Sequence, residues 1–359
     1  MTTALLRWLP HHRARLWLAL RMIVSAAIAY ALAEALHLAQ GYWAVLTTII
    51  VTQSSVGGSL KAAMDRLIGS VCGALVGAVV AFLVPGHSPV ALGIALLAAL
   101  APLAVLTAYA PDFRIAPVTA IIVLMSSGAA TLGAFGYALD RVLEITLGSV
   151  VGVLVSALVG PARAHTHVRE AAASAAVLLA EMVSGLAPAA GSGASDGGTL
   201  SSRVQAALTR LGTTVADAAR ERRSRISDEP DAEPLFRTLR RLQQDVLALR
   251  RLFDAPWPES VRPTLAPAFT AYAEAVAVAL RSLGAALAAR QSSPDLPVSR
   301  TALADYLAAI ATTRQQGLIR ELPTEAAGRI LGSAFRVEQL QRDLDDLTER
   351  IGEMAVVGR

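Results

Sequence analysis

Apolar residues fall in long unbroken runs up to about residue 160 of this chain and in narrow periodic stripes beyond it. A helix that is apolar all round has no solvent-facing side, so such runs belong inside a large core or a membrane. Six segments are predicted: 16–38, 42–54, 67–84, 90–109, 115–131 and 142–159. Pro85-Gly86 and Pro111-Asp112 mark turns between them. Ala31-Leu32-Ala33 resembles a signal-peptide cleavage site, but the apolar segments that follow favour an uncleaved first span. The second segment is the odd one. Its apolar part, 43–52, falls short of the ~20 helical residues that cross a hydrocarbon core. A polar, glycine-broken patch follows it, then Lys61, Asp65 and Arg66. A short interrupted segment within a polytopic protein points to a transport site; the plainer reading is a turn between two ordinary spans.

Beyond Pro161 the periodicity changes. Residues 168–186 continue as an alanine-rich helix, and 187–199 (APAAGSGASDGGT) read as a flexible linker. Leu235, Leu239, Leu242, Val246, Leu249 and Phe253 then recur at steps of four and three, as do Val337, Leu340, Leu344, Leu347 and Ile351. Each set is one apolar seam on a helix. With breaks at 254–258 and 291–297, this predicts an antiparallel bundle of about five helices. The fold expected is therefore all-α: a six-span transmembrane domain over 1–163, then a cytoplasmic helical domain over 164–359.

The membrane part repeats itself. Asp65-Arg66 is expected to open the third helix and Asp140-Arg141 the sixth, and glycines recur at matching offsets, Gly73 and Gly77 against Gly148 and Gly152. Thr47-Thr48-Ile49-Ile50-Val51 is echoed by Thr119-Ala120-Ile121-Ile122-Val123 at a slightly different spacing. Three spans per unit is an odd number, so the units would be inverted, a 3+3 plan common among transporters. Glycines four apart share one helix face and let backbones approach, which predicts close packing of the third and sixth helices.

Composition sharpens the division. Through Pro161 there are eight Arg or Lys and five Asp or Glu; from Ala162 onward there are 24 and 23. Net charge is +4, yet no basic stretch is interleaved with aromatics, so nucleic acid is excluded as a partner. The basic residues cluster in the ends and loops placed inside, which puts both termini in the cytoplasm. A lone cysteine, Cys72, builds neither a disulfide framework nor a metal site within one chain. The His165/His167 pair, together with His11 and His12, reads as juxtamembrane decoration rather than metal ligation. No metal or cofactor is expected, and no phosphate loop, triad or paired-carboxylate site points to an enzyme.

The candidate chemistry is that of an organic anion. A carboxylate in a low-dielectric cavity needs a cation, and Arg66, Arg141 and Lys61 are placed to supply one, with Arg114 behind them. Tyr42 and Trp43 offer faces for an aromatic ring, or else anchor the chain at the interface. Gln53, with Thr52 and Ser54, would line the path. Glu144, Asp65 and Asp140 are candidates to carry protons. The alternative for the two aspartates is an ion pair with the adjacent Arg at a helix N-terminus.

The stretch YWAVLTTIIVTQSSVGGSLKAAMDRLIGSVCGALVG closely resembles the repeated motif of fusaric-acid-resistance-like (FUSC) proteins, the aromatic acid exporter superfamily, to which plant aluminium-activated malate transporters are similar in plan. An aromatic pair, a glycine-bearing turn, an acid–Arg pair and a glycine ladder occur there in order. The resemblance covers residues 15–165, with the second domain similar only in being helical. It implies an inner-membrane exporter of aromatic or other hydrophobic organic carboxylates, driven by the proton gradient. It also implies a small organic anion as substrate, a lipid environment, a homodimer because one membrane block is present, and a possible role for a periplasmic adaptor. The runner-up is a passive organic-anion channel. A non-transporting membrane anchor for the helical bundle is third, and an internal repeat argues against it.

Overall fold

The computed structural model describes residues 2–84, 88–126, 133–160, 164–186, 197–224, 227–253 and 257–356. The turn at 85–87 with His87, the ends of the fifth segment and of the break at 254–258, and most of the expected linker lie outside the described residues, as do Arg163 and the side chains of His11 and His12. Among the described residues there are twelve α-helices, one 3₁₀ turn and no strand. The chain divides into two compact units, Met1–Arg163 and Ala164–Arg359.

The first unit contains α1 (Thr2–Ala35), α2 (Tyr42–Val51), α3 (Val56–Leu83), α4 (Pro89–Tyr109), α5 (Ala116–Ser126) and α6 (Gly133–Leu158), with a 3₁₀ turn at Pro111–Phe113. Within the described residues every expected apolar segment forms a helix, but two helices begin earlier than their hydropathy suggests. Ser55 caps α3 by accepting the Gly58 amide, 3.0 Å away, so the helix starts at Val56 and runs straight through Lys61, Asp65 and Arg66. Likewise α6 starts at Gly133, ahead of Asp140-Arg141. The Asp-Arg pairs therefore lie inside helices and open neither of them, which removes the N-terminal-acid reading. Four helices of this unit are long and apolar enough to cross a membrane: α1 from Leu16, α3, α4, and α6 from Phe135. α2, at 10 residues, is not, and α5 is described for 11. Among the described residues the six apolar segments thus comprise four candidate spans, the 10-residue α2, and α5 as far as Ser126.

Packing follows an exchange of α1 with α4, α2 with α5 and α3 with α6. α3 packs on α6; α2 on α6 and α5 on α3; α1 on α2 and α6, and α4 on α5 and α3. Ser59 meets Ser156 near one end of the α3–α6 pair, and Ala74 and Ala78 join Tyr137 and Ala138 near the other. The two long helices therefore run antiparallel, with their midpoints near Gly69 and Ile145 level. A Cβ at Gly73 would meet Ala116 and one at Gly77 would meet Ala120, whereas at Gly148 and Gly152 it would meet Ala44 and Thr47, then Val51. Each ladder is thus a groove for the other repeat's short helix; α3 and α6 do pack together, but these glycines face α5 and α2. The order of the contacts makes α2 parallel to α6 and α5 parallel to α3, so the short helices start level with the midpoints and run in opposite directions.

Among its described residues the second unit has six helices where about five were expected: α7 (Ala164–Ser184), α8 (Gly197–Arg223), α9 (Glu233–Leu252), α10 (Arg262–Ala289), α11 (Pro297–Gln315) and α12 (Thr324–Val356). Both seams are buried as read, Leu235 to Leu249 on α9 and Val337 to Ile351 on α12. α7 belongs to this core through Ala172, Ala175, Ala176 and Leu179. α10 is also long and apolar enough to cross a membrane. Its face from Leu265 through Phe269, Tyr272, Val276, Leu280 and Leu283 to Leu287 is buried within the unit.

Candidate functional site

The site lies where α2 begins and the long helices reach their midpoints. α1 stops at a left-handed residue, His37, with Leu38 N–H returning to Ala33 carbonyl at 3.0 Å. Gln40 and Gly41 then turn the chain into α2, and a Cβ at Gly41 would sit 2.7 Å from Ala33 Cβ, so that turn is tight against α1. On α6, Tyr137, Arg141, Glu144 and Gly148 recur at helical spacing and form one stripe. Gly148 lets α2 settle onto this stripe, and the turn before α2 lands on its charged part.

The contacts there are specific. Glu144 Oε1 accepts the backbone amide of Gln40 at 2.9 Å. The Gln40 side-chain oxygen accepts from Trp43 Nε1 (3.1 Å), Tyr137 OH (2.8 Å) and Tyr42 OH (3.2 Å). Indole N–H only donates, which fixes this atom as the amide oxygen. The Arg141 guanidinium lies 3.4 Å from the Trp43 ring centroid and 3.7 Å from Glu144 Oε2. Arg141 and Glu144 are 2% and 1% exposed, yet Arg141 Nε and Nη1 have no hydrogen-bond partner. Arg66, also buried, donates from Nε to Thr47 Oγ1 at 3.1 Å. Trp43 and Thr47 are four residues apart, so the two guanidiniums meet one face of α2 a turn apart. Arg66, Arg141 and Glu144 all lie within about 7 Å, along the axis, of their helix midpoints at 1.5 Å per residue. For a helix pair that spans a bilayer, that is the costliest depth for a charge, where an Arg in a translocon-inserted helix costs about 2.5–3.5 kcal/mol.

Arg66, Arg141, Glu144, Trp43 and Tyr42 are thus brought together. The other sequence candidates stand apart. Lys61 pairs with Asp65 at 2.7 Å and Asp112 at 3.0 Å on the exposed side of α3. Gln53 is exposed and its amide donates to Ile50 carbonyl, while Thr52 bonds back to Thr48 carbonyl. These residues sit at the opposite end of α2 from the charged cluster, so they do not line it. Ser54 and Arg114 are exposed; Asp140 is half-buried on α6. His165 is buried and held below its usual pKa by desolvation, whereas His167 lies 3.6 Å from Glu170; residues two apart do not share a helix face.

Sequence reasoning missed Gln40, Tyr137 and Ser149, whose hydroxyl is buried without a partner. Tyr137 was findable from its spacing to Arg141 and Glu144. Gln40 carries no such signal, because its partners come from both short- and long-helix segments. Arg21 was also missed. It is buried and donates to the carbonyls of Val159 and Gly160 at 3.0 and 2.5 Å, closing the C-terminal end of α6.

Chemically the cluster is a desolvated cation with two open donors, an indole face beneath it and one internal carboxylate beside it. Among the described residues no group of three or more His, Cys, Asp or Glu is placed to hold a metal. The model of the family described as the fusaric acid resistance protein family, FUSC, matches residues 15–357. The match runs through both units, well past the membrane part to which the motif resemblance was confined. No curated protein matches the chain.

Proposed function

This chain belongs to the fusaric acid resistance protein family and is a multi-pass membrane protein of transport- or efflux-related function, and from that premise we propose that it exports aromatic or other hydrophobic organic carboxylates. The observation that carries this reading is Arg141: a guanidinium 2% exposed, stacked on Trp43, with Nε and Nη1 unfilled. A buried cation with open donors is strongly disfavoured unless an anion completes it. An aromatic carboxylate satisfies both halves of the site, its oxygens on Arg141 and its ring beside the Tyr42–Trp43 pair, whose own centroids are 5.2 Å apart. Arg66, one turn along α2, is a second anion contact on the path. In this reading the first unit sits in a bacterial inner membrane with both termini cytoplasmic, the second unit is cytoplasmic, the assembly is a homodimer, and transport is coupled to the proton gradient through Glu144. The protein carries out no covalent chemistry.

The test is efflux of labelled benzoate from cells expressing the protein, with membrane levels of each variant measured in parallel. Arg141→Ala and Arg66→Ala should insert normally and lose efflux. The Lys variants should keep part of it, since charge survives while the planar, bidentate geometry is lost. Wild-type efflux from well-expressed alanine variants would remove the two arginines from the path. A passive anion channel uses the same cations, and voltage-driven benzoate current without proton movement would favour it.

A further inference from the structure

We infer that Glu144 is a built-in competitor of the substrate: its carboxylate holds the anion position at the head of α2, and a substrate carboxylate enters only when Glu144 is protonated. The inference rests on the organic-anion reading above. Its basis is that one place serves both anions. Glu144 takes the Gln40 amide at 2.9 Å where the positive end of α2 points, and its second oxygen is only 3.7 Å from Arg141 Nη1, too far for a hydrogen bond. It therefore balances Arg141 without filling it; Nε and Nη1 stay open in a side chain that is 98% buried. Such a pair is held loosely by geometry and tightly by charge, which suits an anion that must be exchanged.

Charge bookkeeping in the buried centre points the same way. Arg66, Arg141 and ionised Glu144 carry a net charge of +1. A second anion added beside ionised Glu144 would bring two carboxylates together at one guanidinium, where like charges oppose each other. Protonating Glu144 as the substrate arrives keeps the total at +1 in both states. The groups that face Glu144 can be named element by element. Glu144 itself meets the Gln40 amide at the head of α2 and, on α6, Arg141 and Asp140; Arg141 in turn meets Tyr137 on α6, Tyr42 on α2 and Arg66 on α3; and α5 contributes no titratable residue among those described. α1 offers Glu34, which is exposed. Glu144 is the one carboxyl bonded to the shared position. The first repeat has no such acid: the position matching Glu144 is Gly69, packed against the Asp112–Ile115 turn. The device therefore belongs to one member of the exchange-related pair, so the two halves of the path differ.

The experiment is calorimetric binding of benzoate to the full-length protein in nanodiscs from pH 6 to pH 8, in two buffers of different ionisation enthalpy. Wild type should bind more tightly as pH falls and take up about one proton per benzoate bound, as linkage requires. Glu144→Gln keeps an acceptor for the Gln40 amide and removes the charge. It should bind benzoate about 5- to 150-fold more tightly at pH 8, the usual range of a coupling between sites, with no proton uptake and no pH slope. Glu144→Asp, which keeps the charge, should keep the slope. Benzoate binding by wild type without proton uptake would overturn the competition while leaving the organic-anion reading intact. An unchanged slope in Glu144→Gln would do the same. Absence of saturable benzoate binding to wild type at every pH would overturn both. Should Glu144→Gln fail to assemble, proton uptake by wild type alone decides.

Discussion

The glycine grooves make a graded prediction. A Cβ at Gly73 would lie 2.2 Å from Ala116 O and 2.9 Å from its Cα, all backbone atoms of α5. Real Cβ atoms do not approach closer than 3.0 Å, so α5 has to move away by about 1 Å. Overpacking of this kind costs about 1–3 kcal/mol, a large share of a total stability of order 5–15 kcal/mol. Gly148→Ala meets Ala44 O at 2.3 Å and should cost as much, because it is the exchange-related position. Gly77→Ala, at 2.9 Å from Ala120 O, should come next. Gly152→Ala should be milder, since its 3.0 Å neighbour is a Val51 methyl that can shift, and Gly69→Ala, at 3.4 Å, milder still. Gly93→Ala meets nothing within 4 Å and serves as the control. The assay is the melting temperature of detergent-purified protein followed by size-exclusion recovery, with a shift of about 2–4 °C per kcal/mol expected for units of this size. Equal melting temperatures for Gly73→Ala, Gly148→Ala and Gly93→Ala would refute the groove packing.

Three further outcomes follow. Gln40→Ala leaves the indole of Trp43 and the hydroxyl of Tyr137 without their acceptor, at about 1–3 kcal/mol for each buried donor, while the backbone amide to Glu144 survives; benzoate binding should weaken and Trp43 emission shift to the red, and unchanged values would dismiss Gln40 as the organiser. In the second unit, burial and the adjacent Asp343 push the Asp245 carboxyl above its usual range. The folded state then binds a proton more readily than the unfolded chain, so stability rises as pH falls from neutral toward the ordinary carboxylate pKa near 4; Asp245→Asn should slow hydrogen exchange of α9 at pH 7.5 and flatten its pH dependence, and faster exchange would reverse the sign. Reporter fusions after Arg13 and Arg169 should report cytoplasm and one near His87 the outer side, so an outer-side signal at Arg169 would overturn the proposed orientation.

Much of the first unit was legible because hydropathy is local. The apolar runs marked all six segments; the Asp-Arg and glycine offsets matched α3 to α6 and the Thr-Ile-Ile-Val echo matched α2 to α5, but the glycine ladders pack on α5 and α2 where they were expected to join α3 to α6. The starts of α3 and α6 were misplaced for one reason: a window of sequence registers the cost of Lys61, Asp65, Arg66, Asp140 and Arg141 among apolar residues, but it cannot see what answers that cost. The answers come largely from elsewhere in the chain, with Asp112 for Lys61, Thr47 for Arg66 and Trp43 for Arg141. The seams of α9 and α12 were read correctly because a four–three stripe needs only a partner of any kind. α10 was not singled out, because its length and apolarity are those of a span while its packing is that of a bundle helix.

By itself, then, the sequence marked which segments are helices, where long apolar runs give way to narrow apolar stripes, and which motifs recur within the first part. Tertiary structure decided which end of α2 matters. The polar residues after it, Thr52 to Ser54, advertise a site, yet the buried charged residues gather before it, around Gln40 and Trp43. The physical reason is that a buried charge is tolerated only where partners converge, and convergence depends on the register of helices packed through glycine grooves. Gly148 sets that register for α2 on α6, and so places the Gln40 amide against Glu144 and the Trp43 ring beneath Arg141.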